Sequence, residues 1–152
     1  MSTAKTETSL TLDIHEGFAL GRLERWDAIF HPDVLINSPA GRDIVGRASL
    51  KAWVQAFIEA FHPRVDLIDH YVAGDRGLVT INLHWTHDGA PFFGIAPTGA
   101  HGTSVESFNL RLKDGLVTHV EVADNTLDLA IYLHDQGMVL PRGVTPPALV
   151  SG

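Results

Sequence analysis

The most regular hydrophobic rhythm in the chain runs from Ala48 to Phe61. There Leu50, Trp53, Val54, Phe57, Ile58 and Phe61 recur three and four residues apart. That period places all six on one broad face of a helix, which Pro63 ends. Leu10, Ile14 and Phe18 repeat at the same spacing and predict a helix from Ser9 to Gly21. Leu23, Trp26, Ile29 and Phe30 mark a second, short helix before His31-Pro32. The period then shortens to two. Asp33 to Ser38 is a β-branched run closed by Pro39 and reads as a strand, and Ala40 to Gly46 as a loop. Further strands are predicted at Val65–Ala73 and Leu78–His87, joined by the turn Gly74-Asp-Arg-Gly77. Thr103–Leu112 and Leu116–Ala123 form a hairpin about Lys113-Asp114-Gly115. A last helix spans Thr126 to Gln136, with Asn125 or Thr126 as N-cap, Leu127, Ala130, Ile131 and Leu133 as its buried stripe, and Gly137 as C-cap.

Helices cluster early and strands late, so the fold class is α+β: a curved, mostly antiparallel sheet with helices on one face. Such a sheet wrapped around helices leaves a cone-shaped pocket, the kind of concavity in which small ligands bind. Residues 1–8 read as a polar tail, 9–137 as one domain, and 138–152 as an extended tail with three prolines that could lie on a partner subunit.

Alternation identifies the polar groups that break an apolar face. Val79, Ile81, Leu83 and Trp85 share a face that His87 continues, while Asn82, His84 and Thr86 lie opposite. Glu106 is in phase with Phe108, Leu110 and Leu112. Asp124 is in phase with Val120 and Val122. Three ionisable groups, His87, Glu106 and Asp124, therefore sit on otherwise apolar faces. A charge there is costly unless it is paired or used, and a carboxyl in an apolar pocket holds its proton more tightly, which suits general acid or base work near neutral pH. Each also has a bland reading: a turn residue for His87, a structural ion pair for Glu106, a helix cap for Asp124. Phe18, Trp53, Phe57, Trp85 and Phe108 are the aromatic candidates for a binding wall, with plain core the weightier reading for Phe18, Trp53, Phe57 and Phe61.

Charge and composition narrow the partners. The net charge is −7 and no Lys/Arg run occurs, which argues against nucleic acid or an anionic membrane. There is no cysteine, hence no disulfide framework or thiol chemistry. No apolar run approaches a membrane span, and the first residues lack a signal-peptide core, so a cytoplasmic location is expected. His84 and His87 point to opposite faces, a poor metal geometry, and no metal or other cofactor is expected. No strand–elbow–helix surrounds Ser104 or Ser107, so a serine hydrolase is not expected.

His31-Pro-Asp-Val-Leu-Ile-Asn-Ser-Pro39, Gly46 before the long helix, Gly94-Ile-Ala-Pro-Thr-Gly99, Phe108, Lys113-Asp-Gly115 and the closing Leu127–Leu133 helix together resemble the SnoaL-like polyketide cyclases. These belong to the nuclear-transport-factor-2-like superfamily, and the likeness covers roughly residues 10–137. The resemblance implies an α+β cone, a homodimer formed through the outer face of the sheet, and a cofactor-free intramolecular aldol cyclisation of an apolar carbonyl compound. In that chemistry an aspartate at the end of the last strand removes a carbon-bound proton. It also implies substrate-positioning roles for Asn37 and for the polar position at Glu106. The spacing of the motifs sets the family's aspartate at Asn125, whereas alternation turns Asp124 inward. A bulge near Ala123 would reconcile the two.

Two functional classes follow. One is an enzyme, a cyclase or isomerase, with Asp124 as base and Glu106 or His87 as acid or hydrogen-bond donor. The other is a non-catalytic module that binds a small apolar ligand or a protein partner. A hydrolytic relay of the limonene epoxide hydrolase type would need an arginine in the pocket, and the arginines fall in loops or on the outer face.

Overall fold

A computed structural model describes residues 7–41 and 43–138. The elements in chain order are helix α1 (Glu7–Leu20), a 3-10 turn (Leu23–Ala28), strands β1 (Phe30–Asn37) and β2 (Ile44–Val45), and helix α2 (Arg47–Phe61). Strands β3 (Arg64–Ala73), β4 (Arg76–Thr86), β5 (His101–Lys113) and β6 (Leu116–Asp124) and helix α3 (Asp128–Asp135) complete it. The α+β expectation holds. The second helical segment is a single 3-10 stretch, and the loop after β1 contains the added two-residue strand β2. Helix α1 begins inside the predicted N-terminal tail, at Glu7. The predicted C-terminal tail lies outside the described residues beyond Met138.

One six-stranded sheet runs in the order β2-β1-β6-β5-β4-β3. Only the β1–β6 pairing is parallel; the rest are antiparallel. Register shifts at Leu67/Asp69 in β3 and opposite Arg111/Leu112 in β6 insert extra residues, which bend and twist strands locally. The sheet curves without closing, and α1, the 3-10 turn and α2 occupy its concave side. Among the described residues no helix is long and apolar enough to cross a membrane.

The two hydrophobic rhythms meet in this concavity. Leu50, Val54, Phe57 and Phe61 of α2 are buried against Val79, Ile81, Leu83 and Trp85 of β4, every second residue as alternation requires. The six aromatic rings Phe18, Trp53, Phe57, Phe61, Phe92 and Phe108 form a connected chain of stacked, tilted and edge contacts through the core. Phe92 enters this chain from the long loop after β4. There Phe93 (φ 44°) and Gly94 (φ 85°) make a two-residue turn bridged by Phe92 and Ile95 in both directions at 2.9 Å. Glycine suits that second position because its φ is positive.

Trp26 seals the narrow side of the cone. It is 2% exposed, and its indole N–H donates to the Asp13 carbonyl at 3.0 Å. Gly17 on α1 leaves the room for it: a Cβ there would stand 2.1 Å from the indole nitrogen. Alanine favours a helix interior by about 1 kcal/mol over glycine, so the two effects oppose. Because the indole is pinned by its hydrogen bond, steric conflict is expected to win. Gly17→Ala should lower unfolding stability by about 1–3 kcal/mol in urea melts, and a variant as stable as wild type would contradict this packing.

Candidate functional site

The concave face holds a cavity of about 70 Å³. Its wall is drawn from α1 (Ile14, Phe18), α2 (Leu50, Trp53, Val54, Phe57), the end of β1 and the loop after it (Ile36, Ser38, Pro39, Ala40) and the central strands (Leu83, Phe108, Leu110, Val120, Val122). Two carboxyl side chains interrupt this surface, Glu106 and Asp124. They are direct cross-strand partners in the β5–β6 ladder, which places their side chains beside each other on one face.

The pairing settles the Asp124–Asn125 question. The β5–β6 register runs without interruption through Glu106↔Asp124, Ser107↔Ala123 and Phe108↔Val122, so no bulge lies near Ala123. The bulge in β6 sits near Thr118 instead. Asp124 therefore follows Val120 and Val122 into the cavity. Asn125 is exposed on the other phase: its Oδ1 accepts the Val105 N–H at 2.8 Å and its own N–H donates to the Val105 carbonyl at 3.2 Å. Asn125 is not among the residues of the cavity wall, where its expected binding role would place it, and it extends the strand pairing by one residue.

Both carboxyls are held. Glu106 is 8% exposed, and its Oε1 accepts the Ser104 hydroxyl at 3.4 Å. Asp124 Oδ1 accepts the backbone N–H of Thr126 at 3.0 Å and of Leu127 at 3.2 Å. The predicted capping by Asn125 or Thr126 thus gives way to capping of the turn by Asp124, and α3 begins later, after Leu127 in the left-handed region (φ 60°). Both amides lie in the turn before α3. Glu106 is the more buried of the two carboxyls. Burial, followed by the neighbouring Asp124 charge and the hydrogen bond between the two side chains, pushes its proton affinity up to about 8. Ser104 acts against this and Asp128 adds to it. With that raised affinity Glu106 is a carboxylic acid at neutral pH beside a second carboxyl, the arrangement an acid–base site needs.

The remaining candidates separate. Phe18, Trp53, Phe57 and Phe108 line the cavity as expected. Trp85 does not: its ring packs on Phe61 and Tyr132, and its N–H donates to Asp128 Oδ1 at 3.3 Å. Gly102 leaves the space for that contact, since a Cβ would lie 2.1 Å from Asp128 Oδ2. Asn37 also lies off the cavity wall, with Oδ1 accepting the Asp43 N–H at 2.8 Å and Nδ2 donating to Glu121 at 3.3 Å. It holds the β1–β2 loop.

His87 is fully buried but remote from the carboxyl pair. Its Nε2–H donates to the Ala90 carbonyl at 3.2 Å, which leaves Nδ1 to accept the Tyr132 hydroxyl at 2.7 Å. Tyr132 in turn accepts from Thr98 at 2.7 Å, and Thr98 from the Ala100 N–H at 3.2 Å. This chain ties the loop 88–100 to α3 and sets His87 apart from the carboxyl pair that its expected acid or donor role would need. Among the described residues no group of three His, Asp or Glu side chains could hold a metal, and no arginine lines the cavity. Sequence reasoning weighed Ser104 only as a nucleophile, although it shares the phase of Glu106, and passed over Asp128, whose position four residues beyond Asp124 was the available signal.

A family model for the SnoaL-like domain matches residues 12–120. No curated protein matches the chain. Solved structures share the fold. A proposed SnoaL-like polyketide cyclase from Jannaschia sp. CCS1 is 20% identical with a TM-score of 0.70, over 91% of this chain and 97% of that one. AclR, a proposed hydroxylase from Streptomyces galilaeus, is 22% identical with a TM-score of 0.64, over 88% and 98%. IdmH, a proposed polyketide cyclase from Streptomyces antibioticus, is 18% identical with a TM-score of 0.62, over 85% and 99%.

A raised affinity at Glu106 means the folded state binds more protons than the unfolded one between about 4.5 and about 8. Stability must then fall as pH rises through that window. Urea melts of wild type and Glu106→Gln at a series of pH values isolate this contribution. The wild type is expected to lose stability relative to the variant from about pH 5 to about pH 8, and parallel pH profiles would contradict the assignment.

Proposed function

The chain belongs to the SnoaL-like domain family, and from that premise we propose that it transfers protons at a carbon next to a carbonyl, as a cofactor-free cyclase or isomerase. The observation that carries this reading is the Glu106–Asp124 pair on the wall of an otherwise apolar cavity.

In the proposed reaction Asp124 takes the proton from the carbon, and the electron pair of the broken C–H bond moves into an enolate. Its Oδ1 also accepts the Thr126 and Leu127 amides, and substrate entry replaces the Glu106–Asp124 hydrogen bond to free the carboxyl as base. Glu106 donates its proton as a hydrogen bond to the enolate oxygen, where charge develops in a water-poor, low-dielectric site. In a cyclisation the enolate carbon then bonds to a second carbonyl carbon of the same molecule, and the new alkoxide recovers the proton from Asp124. In an isomerisation the proton returns to a different carbon. Both steps leave the carboxyl pair as it began.

The apolar lining favours a small apolar carbonyl ligand, with Phe18, Trp53, Phe57 and Phe108 as its contacts. A homodimer through the outer sheet face and a cytoplasmic setting belong to the same reading. The outer face offers exposed Val105, Asn109, Arg111, His119 and Glu121 for that contact. A second reading, a binding module without chemistry, draws on the capping bonds that already occupy one oxygen of Asp124.

The test is exchange of α-protons of a simple ketone into D₂O, followed by NMR. Asp124→Asn is expected to reduce protein-dependent exchange by about 10²–10⁴-fold, and the wild-type rate is expected to fall above about pH 8 as Glu106 ionises. Exchange unchanged in the variant removes Asp124 from the mechanism. Ketone binding without exchange in the wild type selects the binding module.

A further inference from the structure

Three carboxyl groups gather where β5, β6 and α3 meet, and each draws on its own hydrogen-bond donors. Asp124 Oδ1 accepts the Thr126 and Leu127 amides. Asp128 Oδ1 accepts the Leu129 amide at 2.7 Å and the Trp85 indole N–H at 3.3 Å. Glu106 Oε1 accepts the hydroxyl of Ser104 at 3.4 Å.

The strand places that hydroxyl. Gly102, Ser104 and Glu106 alternate onto one face of β5, opposite Trp85, Leu83 and Ile81 of β4. Ser104 is 2% exposed and Leu83 is buried beside it. Where Gly102 has no side chain, Asp128 fills the space, since a Cβ there would stand 2.1 Å from its Oδ2. Ser104 therefore stands between Asp128 and Glu106. A buried hydroxyl needs a partner and has one proton to give. Asp128 is already supplied by Leu129 and Trp85, and the proton of Ser104 goes to Glu106.

Ser104 is not among the residues of the cavity wall, whereas Glu106 is. It reaches the site only through Glu106. A protonated carboxyl has one oxygen that donates and another that is the better acceptor. A donor held on Oε1 marks that oxygen as the acceptor and leaves Oε2 to carry the proton. The β5–β6 register sets Asp124 beside Glu106, and the two side chains are hydrogen-bonded. The proton on Oε2 serves that bond and, once substrate replaces it, the enolate oxygen.

We propose that Ser104 is a positioning residue: its hydroxyl holds Glu106 with Oε1 as the accepting oxygen and Oε2 as the donor, so that the acid proton faces Asp124 and the substrate. This rests on the acid role given to Glu106 above and assigns the side chain that orients it.

A hydroxyl donating to a carboxyl stabilises its ionised form, so removing it makes Glu106 hold its proton more tightly. The other ionisable groups that act on Glu106 are Asp124 on β6 and Asp128 on α3, and the wall residues of α1 and α2 carry none. The experiment compares wild type with Ser104→Ala, which deletes the hydroxyl, and Ser104→Thr, which keeps it. The Glu106 carboxyl is titrated by ¹³C NMR, and α-proton exchange of a simple ketone is followed at pH 7. Ser104→Ala is expected to raise the midpoint by about one pH unit, tenfold in proton affinity. It is also expected to lower kcat for exchange by about tenfold with KM unchanged. Ser104→Thr is expected to follow wild type in both. A midpoint or a kcat that Ser104→Ala leaves at the wild-type value overturns the proposal. So does an equal change in both variants, which assigns the effect to packing. A wild-type protein that binds the ketone without exchange sinks the proton-transfer reading instead, and the midpoints alone then decide whether Ser104 holds Glu106.

Discussion

The register between β5 and β6 is the constraint on which the site depends. A one-residue slip of β6 against β5 would turn Asp124 to the outer face and part it from Glu106. The register is held by the buried partners along the same ladder, Phe108↔Val122 and Leu110↔Val120, and by the tight turn at Asp114-Gly115. Hydrophobic burial thus fixes the position of the two polar groups that oppose it. The cost of burying a carboxyl is limited because Glu106 keeps its proton and shares it with Asp124, while two backbone amides support the charge on Asp124.

The rest of the cone protects that arrangement. Helix α2 roofs the cavity with Trp53, Val54 and Phe57, and α1 closes one side through Phe18 and Ile14. The His87–Tyr132–Thr98 chain fixes α3, whose first turn carries Asp128 and follows directly on Asp124. A polar network far from the cavity therefore bears on the site only through where it holds α3. This is the usual division in such domains: a packed scaffold sets positions, and a few side chains at strand ends carry the chemistry.

Much of this was legible from periodicity alone. The α2 face and the alternation in β4 and β5 located the concave side, and the phase of Glu106 and Asp124 brought them together because a strand's faces alternate whatever its neighbours do. The resemblance pulled the aspartate to Asn125, and the uninterrupted ladder shows why phase was the better guide there. Local signals failed where tertiary partners decide. His87 follows the buried face of β4, but which buried group it meets depends on α3. Trp85 belongs to the same face, yet Asp128 and Gly102 draw it away from the cavity. Asn37 and Asn125 are strand-end residues whose side chains serve neighbouring backbone, a choice that spacing does not encode. Strand β2 was invisible because two residues carry no period.

The central claim is that Glu106 holds a proton at neutral pH because it is buried beside Asp124. Its side-chain carboxyl can be followed directly by ¹³C NMR across pH, with Glu106→Gln used to assign the signal. The account expects a midpoint near 8, moving down toward the ordinary carboxylate range when Asp124 is replaced by asparagine. A midpoint already in the ordinary range in the wild-type protein would contradict it.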